Sequence, residues 1–442
     1  MFETLRNAWK IADLRKKLLY TLLIILIFRI GSAITVPFVD VDTLIEAAKA
    51  TSDAGVSAMD YLNMISGGSF SEASIFALSI TPYINASIII QLLTVAIPPL
   101  ERLAKEGEAG RKVIGKITRY VTVGLGLMLG IAYYFMLRNK YDALVDGAQK
   151  GFDAWFAAVV IILCFVAGSA LVMWLGEQVN ERGIGNGISI LLFAGILSRI
   201  PEAATWLWRY FYEAGIAQLG KSSNAVANII LIPVVLILFL AIIGFIVFMT
   251  DAERRIPVQY AKRVVGRKMY GGQSTFIPIK VNMSGVMPII LASSIVSLPT
   301  ILQSFFGWKD NWFLLLFRQD NWVYILVYFA MIIGFAFFYV TIQYNPTEMA
   351  NNLRQNSGAI PGYRPGKPTS DYIKRVLNKV TLIGALFLGF IALFPSVFGK
   401  FTGFYALTLG GTSIMIVVGV ALETTQQIES QMMMRHYKGF LG

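Results

Sequence analysis

One cysteine and one histidine are all that this 442-residue chain contains, and each shortage closes off chemistry. Cys164 has no partner for an intramolecular disulfide. A lone thiol and a lone imidazole, His436 near the C-terminus, build neither a zinc site nor a histidine proton relay. No metal and no other cofactor is expected. Charge is scarce too, with 14% of residues Asp, Glu, Lys or Arg. The pattern G-x-x-x-x-G-K-[ST] is missing, so no ATP site of that kind is visible. Paired Asp residues, a Ser/His pair and metal-ligand clusters are missing from the apolar stretches as well, and the chain does not read as an enzyme.

What is present is apolar: 56% hydrophobic residues and a mean hydropathy of +0.63 place the chain among polytopic membrane proteins. Scanning for stretches of about 20 apolar residues gives ten candidate spans. They fall at 18–38, 75–98, 117–137, 153–174, 184–200, 226–249, 282–303, 321–341, 379–397 and 402–422. All are read as helices, because a closed barrel needs short alternating strands. The first lacks a following A-x-A-like cleavage site and is too long for a signal-peptide core, so it is expected to be retained. Before it, residues 1–17 set Phe2, Leu5, Trp9 and Ala12 at helical spacing opposite Arg6, Lys10 and Lys17. That reads either as a helix lying on the membrane or as a solvated basic tail.

Loop charge sets the orientation. With a cytoplasmic N-terminus the inner segments hold the excess of Lys and Arg, which supports ten spans with both termini cytoplasmic. Apart from Arg29, the central parts of the spans carry no Asp, Glu, Lys or Arg. Proton- or ion-coupled transport through the spans usually needs such groups, so coupling of that kind is disfavoured.

The second span contains Pro82-Tyr83-Ile84-Asn85-Ala86-Ser87 and the seventh Pro288-Ile289-Ile290-Leu291-Ala292-Ser293, both reading P-x-I-x-A-S. Each is second of five, in opposite orientations. The echo reads as an inverted repeat around a central path or as two unrelated Pro-kinked helices. Between the sixth and seventh spans, Ile256, Val258 and Tyr260 alternate, as do Thr275, Ile277 and Ile279. A cytoplasmic β-ribbon is expected, its tip basic with Arg254, Arg255, Lys262, Arg263, Arg267 and Lys268. Between the eighth and ninth spans Asn345 caps a short helix with Pro346 first and Glu348 third, followed by a turn-rich segment that presents Arg364. These basic loops suit an acidic docking partner, whether ribosomal RNA phosphate or an acidic protein surface, or else reflect only the positive-inside rule. On the outer side, Tyr61, Leu62, Met64 and Ile65 precede Gly67-Gly68. That patch is either a re-entrant half-helix or a surface amphipathic turn.

Six long segments carry a resemblance: "ITPYINASIIIQLL" (80–93), "KEGEAGRKVIGKITRY" (105–120), "MWLGEQVNERGIGNGISILLFAGI" (173–196), "QSTFIPIKVNMSGVMPIILASSI" (273–295), "YNPTEMANNLRQNSGAIPGYRPG" (344–366) and "GGTSIMIVV" (410–418). In this order they resemble the SecY family, central subunits of the bacterial protein-conducting channel. The resemblance implies an all-α integral membrane fold of ten transmembrane helices in two pseudo-symmetric inverted five-helix halves around a central pore. The halves would be 18–200 and 226–422, joined by an outer hinge loop at 201–225, with an amphipathic N-terminus (1–17), cytoplasmic loops at 250–281 and 343–378, and a cytoplasmic tail (423–442). It implies an apolar constriction of Ile80, Ile84, Ile188, Leu192, Ile290 and Ile416, Leu192 standing where isoleucine is common. It places a plug at Tyr61–Ser69 and a lateral gate between the second and seventh spans, with Asn85, Ser87, Gln91 and Ser294 near the seam. Implied partners are SecE and SecG, the ATPase SecA and the ribosome (including rRNA phosphates), which dock on Arg255 and Arg364, together with signal peptides, nascent secretory or membrane proteins and membrane lipid. The setting would be the bacterial plasma membrane. The residues agree in outline: Ile80 and Ile84, like Ile188 and Leu192, are spaced i,i+4 on one helical face, and an apolar ring seals by dewetting. The expected function is passage of unfolded polypeptides, driven by a partner, with lateral release of apolar segments. The alternative is a secondary transporter of a small solute with an inverted-repeat fold.

Overall fold

The computed structural model describes residues 2–52, 63, 66–139, 141–145, 151–210, 212, 225–260, 263–265, 268–270, 274–306, 316, 321–402 and 410–438. The helices are α1 (Phe2–Lys10), α2 (Ala12–Ser32), α3 (Val41–Ser52), α4 (Thr81–Ala96), α5 (Pro98–Lys105), α6 (Glu108–Asn139), α7 (Gly151–Arg182), α8 (Gly187–Leu197), α9 (Ile200–Tyr210) and α10 (Ala225–Asp251). Strands β1 (Glu253–Tyr260), β2 (Arg263–Val265), β3 (Lys268–Tyr270) and β4 (Ser274–Lys280) follow. Then come α11 (Met287–Phe306), α12 (Trp322–Gln343), α13 (Pro346–Gln355), β5 (Gly358–Ala359), α14 (Lys367–Thr402) and α15 (Gly410–Lys438). Among the described residues, Glu108–Asn139, Asp153–Arg182, Trp322–Gln355 and Lys367–Phe394 are each long and apolar enough to cross a membrane, and the bent α4–α5 pair adds a fifth.

Each of the ten expected segments carries a described helix, with shifted ends. In the second, α4 starts at Thr81, not residue 75. Ser79 has φ +49° and Pro82 stands in the first turn, so the helix begins there rather than running through. At its far end Ile97 is extended ahead of Pro98-Pro99, and the axis turns by 101° into α5. The tenth helix starts at Gly410, residues 403–409 lying outside the described set.

The chain forms two compact units: Met1–Leu236 with Ser297–Tyr324 and Val420–Gly442, and Ile237–Val296 with Ile325–Gly419. In the first, Gly126 and Gly130 on α6 let α7 approach closely. A Cβ at Gly126 would stand 2.8 Å from the Ser169 hydroxyl, the small-residue packing that replaces hydrophobic attraction in lipid. Phe70, Tyr133 and Phe165 form the aromatic centre of this unit, with ring centroids 4.4 and 4.9 Å apart. The N-terminal segment packs through Ala8, Ile11 and Leu14 onto Ile184, Ile428 and Met432. Trp9 and Ala12 are exposed. The helix breaks at Ile11, so no single 3.6-residue period runs through residues 1–17.

In the second unit, β1 pairs antiparallel with β4 along its length, and β5 adds a short third strand at Gln259 and Tyr260. Ile256, Val258 and Ile279 turn inward onto Ala350, Leu353, Ile373 and Leu377 of α13 and α14. The expected ribbon is thus part of a small sheet-and-helix layer, and β2 and β3 pair antiparallel with each other as a separate two-stranded sheet.

Candidate functional site

The P-x-I-x-A-S echo occupies equivalent places. Pro82 and Pro288 are each the second residue of their helix, α4 and α11, so both start helices rather than kink them. Two residues on, the Ile84 amide donates to the Ile80 carbonyl (3.0 Å) and the Ile290 amide to the Val286 carbonyl (3.3 Å). Both isoleucines are 9% exposed. Ile80 therefore flanks α4 instead of occupying a helical position, although it is buried within one turn of Ile84.

Ile188 and Leu192 lie on α8, whose N-cap is Asn186. Leu192 is buried and Ile188 half-buried. The tips of Ile80 and Leu191 both reach the space beside Gly176 of α7, which brings the start of α4 to α8. Ile290 and Ile416, also buried, belong to the second unit.

Of the expected plug residues, Tyr61, Leu62, Met64 and Ile65 lie outside the described residues. Gly67 and Gly68 lead into an irregular run, 67–80, most of it buried. Such backbone survives away from water only when its polar groups are paired. Many of them are: the Phe70 amide donates to Ser66 Oγ (3.0 Å), the Ser71 amide to Asn63 Oδ1 (3.1 Å), the Ile75 amide to the Ile34 carbonyl (2.9 Å) and the Val36 amide to the Ala73 carbonyl (3.0 Å). The Tyr133 hydroxyl donates to the Phe70 carbonyl. Gly67, at φ +68°, is pressed against α8. A Cβ there would meet the Gly195 carbonyl oxygen at 2.6 Å, and the Ser198 hydroxyl reaches the Gly67 carbonyl at 3.4 Å. Gly195 is one turn along α8 from Leu192.

Asn85 and Ser87 are half-buried on α4 and Gln91 is exposed; Ser294 is half-buried on α11. Arg29, inside the first span, has Glu72 as an acidic neighbour. Sequence reading missed a charge contact between two helices: Arg119 Nε of α6 donates to Glu177 Oε1 of α7 at 2.8 Å. Arg119 stands at the edge of its apolar window and Glu177 three residues beyond its own, and following both helices to their observed ends at Glu108 and Arg182 is the signal for the pair.

On the sheet layer Arg254 and Arg255 are exposed. The Arg255 guanidinium is already engaged, 2.6 Å from Glu253 and 4.7 Å from the Phe276 ring centre. Arg263 and Lys268 belong to β2 and β3, while Lys262 and Arg267 lie outside the described residues. Asn345 caps α13 as expected, accepting from the amides of Thr347 and Glu348. Arg364 is exposed on a turn closed by Gly362 (φ +85°) and Gly366 (φ +107°), and its carbonyl accepts from the Thr369 hydroxyl at 2.8 Å. It makes no ion pair among the described residues. Among those residues no cluster of three His, Cys, Asp or Glu is placed to hold a metal ion.

Comparison with known proteins identifies the family. The SecY family model matches residues 74–425. Protein translocase subunit SecY of Streptomyces galbus is 43% identical, with 100% of each chain covered, and that of Halalkalibacterium halodurans is 42% identical, again over 100% of each. Among solved structures, a protein-conducting channel superposes with a TM-score of 0.65 at 18% identity, covering 94% of this chain and 92% of that one. A SecY whose plug domain stabilises the closed state of the translocation channel and maintains a membrane seal gives 0.62 at 18% identity, with the same coverage. With a family model over most of its length and full-length relatives above 40% identity, the chain belongs to the SecY family of protein-conducting channels.

Proposed function

We propose that this multi-pass, non-catalytic channel closes on an apolar ring of Ile80, Ile84, Ile188, Leu192, Ile290 and Ile416. The observation that carries the ring is the matched placement of Ile84 and Ile290, each in the first turn of a proline-started helix, two residues past the proline. Two inverted five-helix halves of ten spans, with both termini in the cytoplasm, account for that match. A ring of aliphatic side chains holds no stable water column, binds no particular ion and yields to any side chain of a passing polypeptide. The segment ending at Gly67-Gly68 is the plug, and its contact with Gly195 one turn from Leu192 supports a closed arrangement beside the ring. Asn85, Ser87, Gln91 and Ser294 line a lateral seam whose hydrogen bonds water replaces when a signal sequence enters. Driving force comes from outside the chain, from SecA or the ribosome docking on the basic layer around Arg254, Arg255 and Arg364, with SecE and SecG as membrane partners.

The test is resting conductance in planar bilayers. Ile84→Asn and Ile290→Asn each put an amide at the narrowest point, where it holds water and removes the dewetting barrier. Both variants are expected to leak ions without substrate. If both fold normally and stay as tightly closed as the parent, these isoleucines are ordinary core residues and the pore lies elsewhere.

A further inference from the structure

A polar cavity of about 320 Å³ lies in the first unit, where the end of α7, the start of α8 and the C-terminal half of α15 meet. It is lined by Asn180, Asn186, Ser189, Glu423, Thr424 and Gln427. Its position along two helices is informative. On α15, Glu423 and Gln427 fall seven and eleven residues after Ile416, on the same helical face and about 10 and 16 Å further along the axis. On α8, Ser189 is one turn before Leu192. Both helices thus carry a residue of the proposed ring and, displaced toward the same end of the first unit, a wall of the cavity. That end is where α1 packs, against Ile184 and Ile428.

The hydrogen bonds inside the wall decide what it offers. Asn180 Oδ1 accepts from the Gly187 amide at 2.8 Å, and Asn186 Oδ1 from the Ile188 amide at 3.1 Å. Each side-chain carbonyl thus holds the start of α8 with one lone pair, which leaves its NH2 group and its second lone pair for the cavity. The Thr424 hydroxyl donates to the Val420 carbonyl at 2.7 Å, which leaves its lone pairs outward. The exposed Gln427 amide supplies one donor group and one acceptor. Neutral donors and acceptors, mixed at this density, match a peptide group, which has one N–H and one C=O and recurs at every residue of an unfolded chain. A cation would face amide NH2 groups on the α8 side, and an anion would face Glu423.

We propose that this cavity binds the main chain of the polypeptide in transit, hydrogen-bonding successive peptide groups irrespective of their side chains as they leave water for the apolar ring. The inference rests on the pore reading above. It explains how a channel without sequence preference offsets desolvation of backbone amides, each of which must otherwise give up its water unpaired.

The test uses the full channel complex carrying a photo-crosslinking amino acid at Gln427 or, as a pore control, at Ile84. A secretory polypeptide is arrested at successive lengths so that Lys, Asp, Leu and Gly in turn face the site. Crosslinks at Gln427 are expected with comparable yield at every register. Removing the neutral groups in Ser189→Val/Gln427→Leu is expected to speed backward release of the arrested chain about fivefold, the factor of one modest net hydrogen bond. Crosslinks at Ile84 but none at Gln427 overturn the inference and leave the pore reading standing; none at either position overturns both. Crosslinks confined to Lys registers, with release accelerated by Glu423→Gln alone, mark a cation site and also overturn it.

Discussion

Replacing Gly67 with alanine tests whether the contact of the proposed plug with α8 holds the channel shut. The substitution has two separable costs. At φ +68° an L-residue pays about 1–2 kcal/mol of backbone strain that glycine does not. The new Cβ would also sit 2.6 Å from the Gly195 carbonyl oxygen and 2.9 Å from its Cα, backbone atoms that cannot swing aside as a flexible side chain would. Relief requires the plug exit to move away from α8, which gives up the Ser198 hydroxyl contact as well. The two costs together amount to about 2–3 kcal/mol against the closed arrangement, or roughly a 30- to 150-fold rise in the open fraction. Gly68→Ala is the internal control: it has φ +98°, but its Cβ would meet nothing within 4 Å, so it carries backbone strain without the collision. Single-channel recording of both variants, with folding checked in detergent, separates the terms. Gly67→Ala is expected to leak clearly more than Gly68→Ala. If the two folded variants leak equally, the collision with α8 does not govern closure and the reasoning fails.

Other consequences are checked by simpler measurements. Arg364→Glu is expected to weaken motor or ribosome binding more than Arg255→Glu, because the Arg255 guanidinium is already held by Glu253 and Phe276; equal or absent loss of affinity at low salt contradicts this. Gln91→Leu is expected to change which signal sequences open the seam, and unchanged export of both weakly and strongly hydrophobic signals removes Gln91 from the gate. Arg119→Gln leaves Glu177, the less exposed partner, without its ion pair and is expected to lower thermal stability by about 1 kcal/mol, with partial recovery on adding Glu177→Gln. A double variant no more stable than the single one means that the pair does not tie α6 to α7.

The parts of the fold that depend on local pattern were legible in the sequence. Alternation at Ile256 and Val258 predicts β1, and the Asn345-Pro346 signature predicts the start of α13, because both follow from backbone periodicity and capping chemistry. Apolar windows locate helices but blur their ends. A hydropathy scan does not see that Ser79 takes φ +49° and that α4 waits for Pro82, so Ile80 was expected on the helix and instead flanks it. Contacts between distant segments were not legible at all. Gly67 meets Gly195, and Arg119 meets Glu177, only through tertiary packing. The polar cavity was hidden for a related reason: Asn180, Ser189 and Gln427 are unremarkable one by one, and their meaning lies in which helix ends converge.

If the proposed ring is the pore, a polypeptide in transit passes between Ile84 and Ile290, and disulfide crosslinking of a stalled chain reads this out. With Cys164 replaced by serine no native thiol remains. Cysteines are placed singly at Ile84, at Ile290 and at Tyr120, which is 79% exposed on the outer face of α6. A secretory polypeptide with one cysteine is then arrested in mid-passage under oxidising conditions. Adducts are expected at Ile84 and Ile290 over the same narrow set of arrested lengths, with none at Tyr120. Adducts at Tyr120 with none at either isoleucine would contradict passage through the ring.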